Sequence, residues 1–196
     1  MVKIVADTST LFSSEEGNKH GITITPLSVN IAKDTYRELD EITSAQFLER
    51  LQEGALPTSS QPSIGEKMEQ YELLAKADEV LDITMADGLS GTYESACNAK
   101  ADCVYGDRIT VLNSETLCGP HRYLVLKAVR LAEQGNSVSM IVDALRTSMM
   151  QERSFLIPRD FSFLKRGGRL TPLAATIGGM LKVVPVMTLT EDHRRL

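Results

Sequence analysis

The sequence predicts an α/β protein, a parallel sheet flanked by helices. Three observations carry that expectation. Short β-rich apolar runs recur at residues 2–6, 80–84 and 108–112. Longer segments with helical spacing and capping signals lie between and after them. Hydroxyl-rich turns follow the strands, at Asp7-Thr8-Ser9 and Ser90-Gly91-Thr92. Alternating strands and helices pair in parallel, because each crossover returns the chain to the same end of the sheet. Ligands of such sheets bind at the edge where the strands end.

Residues 2–6 form the first strand, and 22–31 alternate and are β-rich. Residues 43–52 read as a helix. Thr43 and Gln46 have capping-box spacing, each side chain bonding the other's backbone N–H, and Gly54 follows the end. Residues 57–62, PTSSQP, read as a loop stiffened by Pro57 and Pro62, which turns its hydroxyls outward or into a site. Ser63 with Glu66 is a second capping box, opening a helix to about Ala75. Strand 80–84, helix 92–101 and strand 108–112 come next. Helix 120–134 aligns Leu124, Ala128 and Leu131 and stops at Gly135; helix 137–150 turns Ile141, Val142 and Leu145 inward. Residues 154–157 read as a strand closed by Pro158. Small residues then dominate 160–179, and 181–189 is strand-like. Roughly forty residues are too few for an independent core. The expected organisation is an N-terminal α/β domain over 1–158 and the start of a second, smaller and incomplete domain over 159–196.

A chain of 42% hydrophobic and 24% charged residues can bury an ordinary globular core. Its net charge of −5 argues against a nucleic-acid surface, which needs clustered cations, and the only dense basic run is residues 165–169. Cys97, Cys103 and Cys118 show no metal-ligand spacing and read as reduced thiols. The apolar start is short and broken by Asp7, unlike a signal peptide, and no run approaches the roughly 18 apolar residues of a membrane span. The expectation is a cytoplasmic protein without metal, cofactor or membrane-spanning segment.

The stretch ADGLSGTYESA, residues 86–96, stands where a strand gives way to a helix. Residues 88–92 nearly match the G-x-S-x-G nucleophile elbow, but Thr92 replaces the last glycine. The histidines His20, His121 and His193 read as surface residues, so a base is lacking. An anion site fits better. A helix starting at Gly91 or Thr92 offers unpaired N–H groups, Ser90 and Thr92 add hydroxyls, and Gly91 admits close approach. The plain alternative makes Ser90 an N-cap. Ser59 and Ser60 supply a second hydroxyl cluster before their own helix. Neither G-x-x-x-x-G-K-[ST] nor G-x-G-x-x-G occurs. Asp7 lacks the second aspartate of a phosphatase, and orients the hydroxyl loops or caps a turn. Ten Phe and Tyr with no Trp make base stacking an improbable theme. Met149, Met150, Met180 and Met187 are core residues or the lining of an apolar tunnel.

Five segments in order carry a family resemblance: residues 6–9 (ADTS), 59–63 (SSQPS), 88–96 (GLSGTYESA), 164–170 (LKRGGRL) and 181–186 (LKVVPV). Together they resemble the DegV family along the whole chain. The resemblance implies a bacterial, two-domain α/β lipid-binding protein with a long-chain fatty acid between its domains. It implies that Ser59, Ser60, Ser90, Gly91 and Thr92 hold the carboxylate. It further implies a non-enzymatic carrier that presents the acid to a fatty acid kinase, with Arg169 meeting that partner. The alternative is a serine-dependent hydrolase or phosphotransfer enzyme using the Ser90 corner. Two departures stand out. Ala86-Asp87 replaces the family's Ser-Ser, so Asp87 is expected to face solvent or a cation. The family chain is also longer, its further part closing the acyl pocket and supplying a histidine beside the headgroup.

Overall fold

The first strand, β1 (Val2–Asp7), is buried along nearly its whole length, as the centre of a parallel sheet requires. It runs into a 3-10 turn at Thr8–Thr10. The elements that follow are α1 (Ser14–Lys19), β2 (Ile22–Thr25), β3 (Ser28–Ile31), β4 (Asp34–Arg37), α2 (Ser44–Gln52), β5 (Thr58–Ser60) and α3 (Ile64–Ala75). After them come β6 (Glu79–Thr84), α4 (Thr92–Asp102), β7 (Ile109–Asn113), α5 (Cys118–Glu133), α6 (Val138–Gln151) and α7 (Phe161–Gly167). The structure, a computed structural model, describes residues 1–158, 161–172, 174, 186–191 and 195–196.

Two sheets form. The larger is parallel throughout, in the order β2-β1-β6-β7. The smaller is antiparallel, in the order β4-β3-β5. The period of two along the parallel strands divides the core. Ile4, Ala6, Leu81 and Ile83 face the layer containing Leu124, Val125, Ala128, Ile141 and Leu145 of α5 and α6. Val5, Val80 and Ile109 face Tyr71 and Ala75 of α3 and Ala99 of α4. No helix of the described residues is long and apolar enough to cross a membrane.

The capping boxes at Thr43/Gln46 and Ser63/Glu66 form as their spacing predicts, and a third forms at Ser13/Glu16 to open the unforeseen α1. Other expectations need correction. The β-rich run 22–31 is two strands in different sheets, parted by Pro26, which has no N–H for a ladder. Thr58–Ser60 is a strand and not a loop, because β3 offers it a partner: Ser28 pairs with Ser60 and Val29 with Ser59. Residues 154–157 make only an isolated bridge, Leu156 with Met187. The strand read at 181–189 falls mostly outside the described residues.

A buried ionic group fixes α3 to the sheet. Lys67 and Tyr71, one turn apart, both donate to Asp82 Oδ2 of β6 at 2.5 Å, and all three residues are 0% exposed. Asp82 Oδ1 has no hydrogen-bond partner among the described residues. Burial and the neighbouring carboxylate drive the Tyr71 phenol far above its ordinary titration range. Removing one member of such a group strands a buried charge, at a cost of about 3–5 kcal/mol. Lys67→Met should therefore lower the urea midpoint sharply. Lys67→Met combined with Asp82→Leu should recover most of the loss, and a double variant as unstable as the single one would refute this account.

Candidate functional site

At the carboxyl edge of the parallel sheet, the turn after β1 meets the turn after β6. Asp7, fully buried at the end of β1, joins them. Its Oδ1 accepts the Ser9 N–H at 2.9 Å and its Oδ2 accepts the Met85 N–H at 3.0 Å. The residue thus fills both roles considered for it, capping its own turn and holding the neighbouring loop. Thr8 accepts the Leu27 N–H at 3.1 Å and donates to Glu38. Burial, reinforced by the nearby Asp7 charge, holds the Glu38 carboxyl above its ordinary range, and the Thr8 hydroxyl only partly offsets this. Burial and the same two carboxylates push the Cys118 thiol up. Among the described residues, no group of three or more His, Cys, Asp or Glu has the arrangement of a metal site.

Beside this turn lies the corner over residues 86–92. Gly91 is the N-cap of α4 and makes no side-chain cap. Ser90 is therefore not the cap itself. Its Oγ shares a 2.9 Å hydrogen bond with Thr92 Oγ1 and lies 3.4 Å from the Thr92 N–H. The Gln61 side chain packs over Gly91, where an added Cβ would stand 3.1 Å from Gln61 Cδ. Ser95 of α4 donates to the Pro62 carbonyl at 2.8 Å, fastening the loop before α3 onto α4. An open groove of about 340 Å³ runs between them, lined in part by Ser60, Gln61, Ser63 and Gly91. Ser60 and Gly91 thus share one groove. No hydrogen bond among the described residues links Ser59 or Ser60 to Ser90 or Thr92, and both serines of β5 are exposed.

Arg169 reaches this corner from the far end of the described chain. Its Nε donates to the Leu89 carbonyl at 3.2 Å, one residue before Ser90. Under the corner lies an apolar cluster of Met85, Ala86 and Leu89, packed against Leu27, Leu117 and Leu189. Met187 is buried, Met149 packs on the main core and Met150 is exposed, while Met180 lies outside the described residues. The Tyr93 phenol is raised chiefly by its interaction with Cys97 and by burial, with the nearby Asp87 charge adding to both.

Of the two described histidines, His20 is exposed, as the surface reading expects, and His121 is not. His121 is fully buried, with Nδ1 2.7 Å from Ser9 Oγ and Nε2 2.8 Å from the Ile83 carbonyl. His20 lies against the Phe12 ring, and His193 falls outside the described residues. Neither described histidine bonds Ser90. Four of the five described non-glycine residues with left-handed backbone stand around this edge, Leu11, Leu39 and Glu115 on loops and Cys118 at the first position of α5. Such backbone costs about 1–3 kcal/mol per residue and gathers at functional sites.

A family model for uncharacterised proteins of the DegV family matches residues 1–195. Protein DegV of Bacillus subtilis is 36% identical over 191 residues, covering 95% of this chain and 67% of that protein. The crystal structure of the Bacillus subtilis DegV, a fatty acid binding protein, matches with a TM-score of 0.86 at 34% identity, over 97% of this chain and 68% of that one. A DegV family protein from Thermus thermophilus, described for its fatty acid binding, matches with a TM-score of 0.85 at 32% identity, again over 97% and 68%. The chain spans about two thirds of the length of these relatives.

Glu38 makes a pH dependence that can be measured. Its folded form holds the proton more tightly than the unfolded chain, whose carboxyl titrates near 4.5. Folding therefore takes up a proton there, and stability falls as pH rises through and above that value. Glu38→Gln keeps an acceptor for Thr8 and removes the charge. It should flatten the decline in thermal midpoint between about pH 4.5 and 7; an unchanged slope would show that Glu38 is not the group responsible.

Proposed function

The chain belongs to the DegV family, and from that premise we propose that it is a non-enzymatic carrier of a long-chain fatty acid that presents the carboxylate to a fatty acid kinase. The observation that carries the reading is the juxtaposition at the sheet edge. A hydroxyl pair, Ser90 and Thr92, stands at the start of a helix directly above the apolar cluster of Met85, Ala86 and Leu89. An acid with an alkyl tail needs that pairing of surfaces. Each CH₂ removed from water contributes about 0.8 kcal/mol. A buried carboxylate without donors would cancel much of that gain, so several donors must converge on it.

In this reading Ser90, Thr92 and the α4 backbone hold one side of the headgroup. Ser59 and Ser60 close on it from β5 across the groove that Ser60 already shares with Gly91. Arg169, tied to the Leu89 carbonyl, stands at the mouth and meets the kinase. Residues 1–158 supply the headgroup site, and residues from 159 onward belong to a second unit that covers the acyl chain. The hydrolase alternative gains no support at Ser90, which has no hydrogen bond from either described histidine.

The test is extraction of the purified protein with organic solvent, followed by mass spectrometry of the extract and native mass spectrometry of the intact chain. A stoichiometric fatty acid, released on unfolding, is the expected result. Ser59→Ala with Ser90→Ala should then weaken acyl binding by at least about tenfold, from two lost hydrogen bonds to a charged group. Unchanged affinity in that pair, in a folded protein, would remove these serines from the headgroup site.

A further inference from the structure

Ser9 and His121 form a hydrogen-bonded pair that the carrier reading does not use. We propose that Ser9 is a nucleophile activated by His121, and that the chain takes acyl groups from activated carboxylic esters through an acyl-Ser9 intermediate. The choice of an acyl substrate rests on the carrier reading; the reactivity of Ser9 does not.

The tautomer follows from the partners. The Ile83 carbonyl only accepts, so His121 Nε2 carries the ring proton across its 2.8 Å contact. Nδ1 then holds a lone pair, and the Ser9 hydroxyl donates to it at 2.7 Å. Nucleophile, base and an orienting third group within hydrogen-bond reach are the arrangement from which covalent catalysis is recognised. The backbone fits as well. Ser9 sits on a sharp turn at the carboxyl end of β1, its N–H bound by Asp7, and Leu11 two residues on is left-handed at φ 63°. Hydrolases of parallel α/β sheets hold their nucleophile on such a strand-to-helix turn. The helix bearing His121 opens at Cys118 with φ 52°, another strained residue. His121 is shut off from water, whereas Ser9 is only half-buried.

In the reaction Ser9 Oγ bonds to the ester carbonyl carbon, its proton passes to His121 Nδ1, and the carbonyl π pair moves to oxygen. That pair returns as the bond to the leaving oxygen breaks. His121 gives the proton to the leaving oxygen, so an alcohol departs and acyl-Ser9 remains. Water then repeats the sequence along the same proton path and releases the carboxylic acid. The third member is a neutral carbonyl, so it stabilises the imidazolium less than a carboxylate does. The reaction is therefore slow, better seen as stoichiometric acylation than as turnover.

The experiment treats the purified chain with a fluorophosphonate, and separately with p-nitrophenyl hexanoate, and reads intact mass and peptide maps. A single phosphonyl adduct on Ser9 is expected, absent from urea-unfolded protein, with a burst of nitrophenolate and acyl mass on the same residue. His121→Gln should slow labelling by about 100-fold or more, with the melting temperature recorded beside it. No adduct on Ser9, or a rate indifferent to His121→Gln in a folded variant, overturns the proposal. Should that variant not fold, the position of the adduct in the unaltered chain decides alone. Ser9 labelling in a protein that binds no fatty acid would sink the carrier reading and leave the dyad standing.

Discussion

The site depends on one carboxylate. Asp7 binds the backbone of its own turn with one oxygen and the backbone after β6 with the other. Two parallel strands share their hydrogen bonds only as far as their ladders run. Beyond the last rung the following loops would diverge, and their N–H groups would lack partners. A fully buried acceptor between them holds both turns at one height above the sheet. The Ser9 turn, the Ala86 corner and the apolar cluster beneath it all take their positions from that junction. Half-buried Glu38 and Cys118 close by, both with raised titration, show how acidic and poorly hydrated the junction is.

Local chemistry was legible in the sequence, and pairing across the chain was not. Thr43 with Gln46 and Ser63 with Glu66 are contained within one helical turn, so their spacing suffices to find them. Ser13 with Glu16 carries the same signal and marks α1 equally well. The strand character of Thr58–Ser60 comes from β3, some thirty residues earlier, and nothing within PTSSQP encodes it. Lys67 and Tyr71 look like an ordinary helix surface until Asp82, an acid inside the apolar run EVLDIT, is set beside them.

The candidate site divides the same way. The Ser90-Gly91-Thr92 corner follows from a strand-to-helix transition read along the chain. Its connection to Arg169 spans 80 residues and runs through a backbone carbonyl, which has no sequence signature. His121 lies 112 residues from Ser9, and its place in the first turn of a helix suggested exposure. What buries it is the packing of α5 on β1 and on the turn after it, a tertiary fact.

The buried Lys67–Asp82–Tyr71 group has a consequence for motion. Two residues of α3 converge on a single oxygen, so the helix can neither spin nor slide without withdrawing both. A shift of one residue would rotate it by about 100° and carry the ammonium into apolar surroundings. The amino end of α3 is therefore a fixed post. Ser95 of α4, bonded to the Pro62 carbonyl, ties the opposite wall of the groove to the same post, so the two helix starts that border it are held to one anchored oxygen.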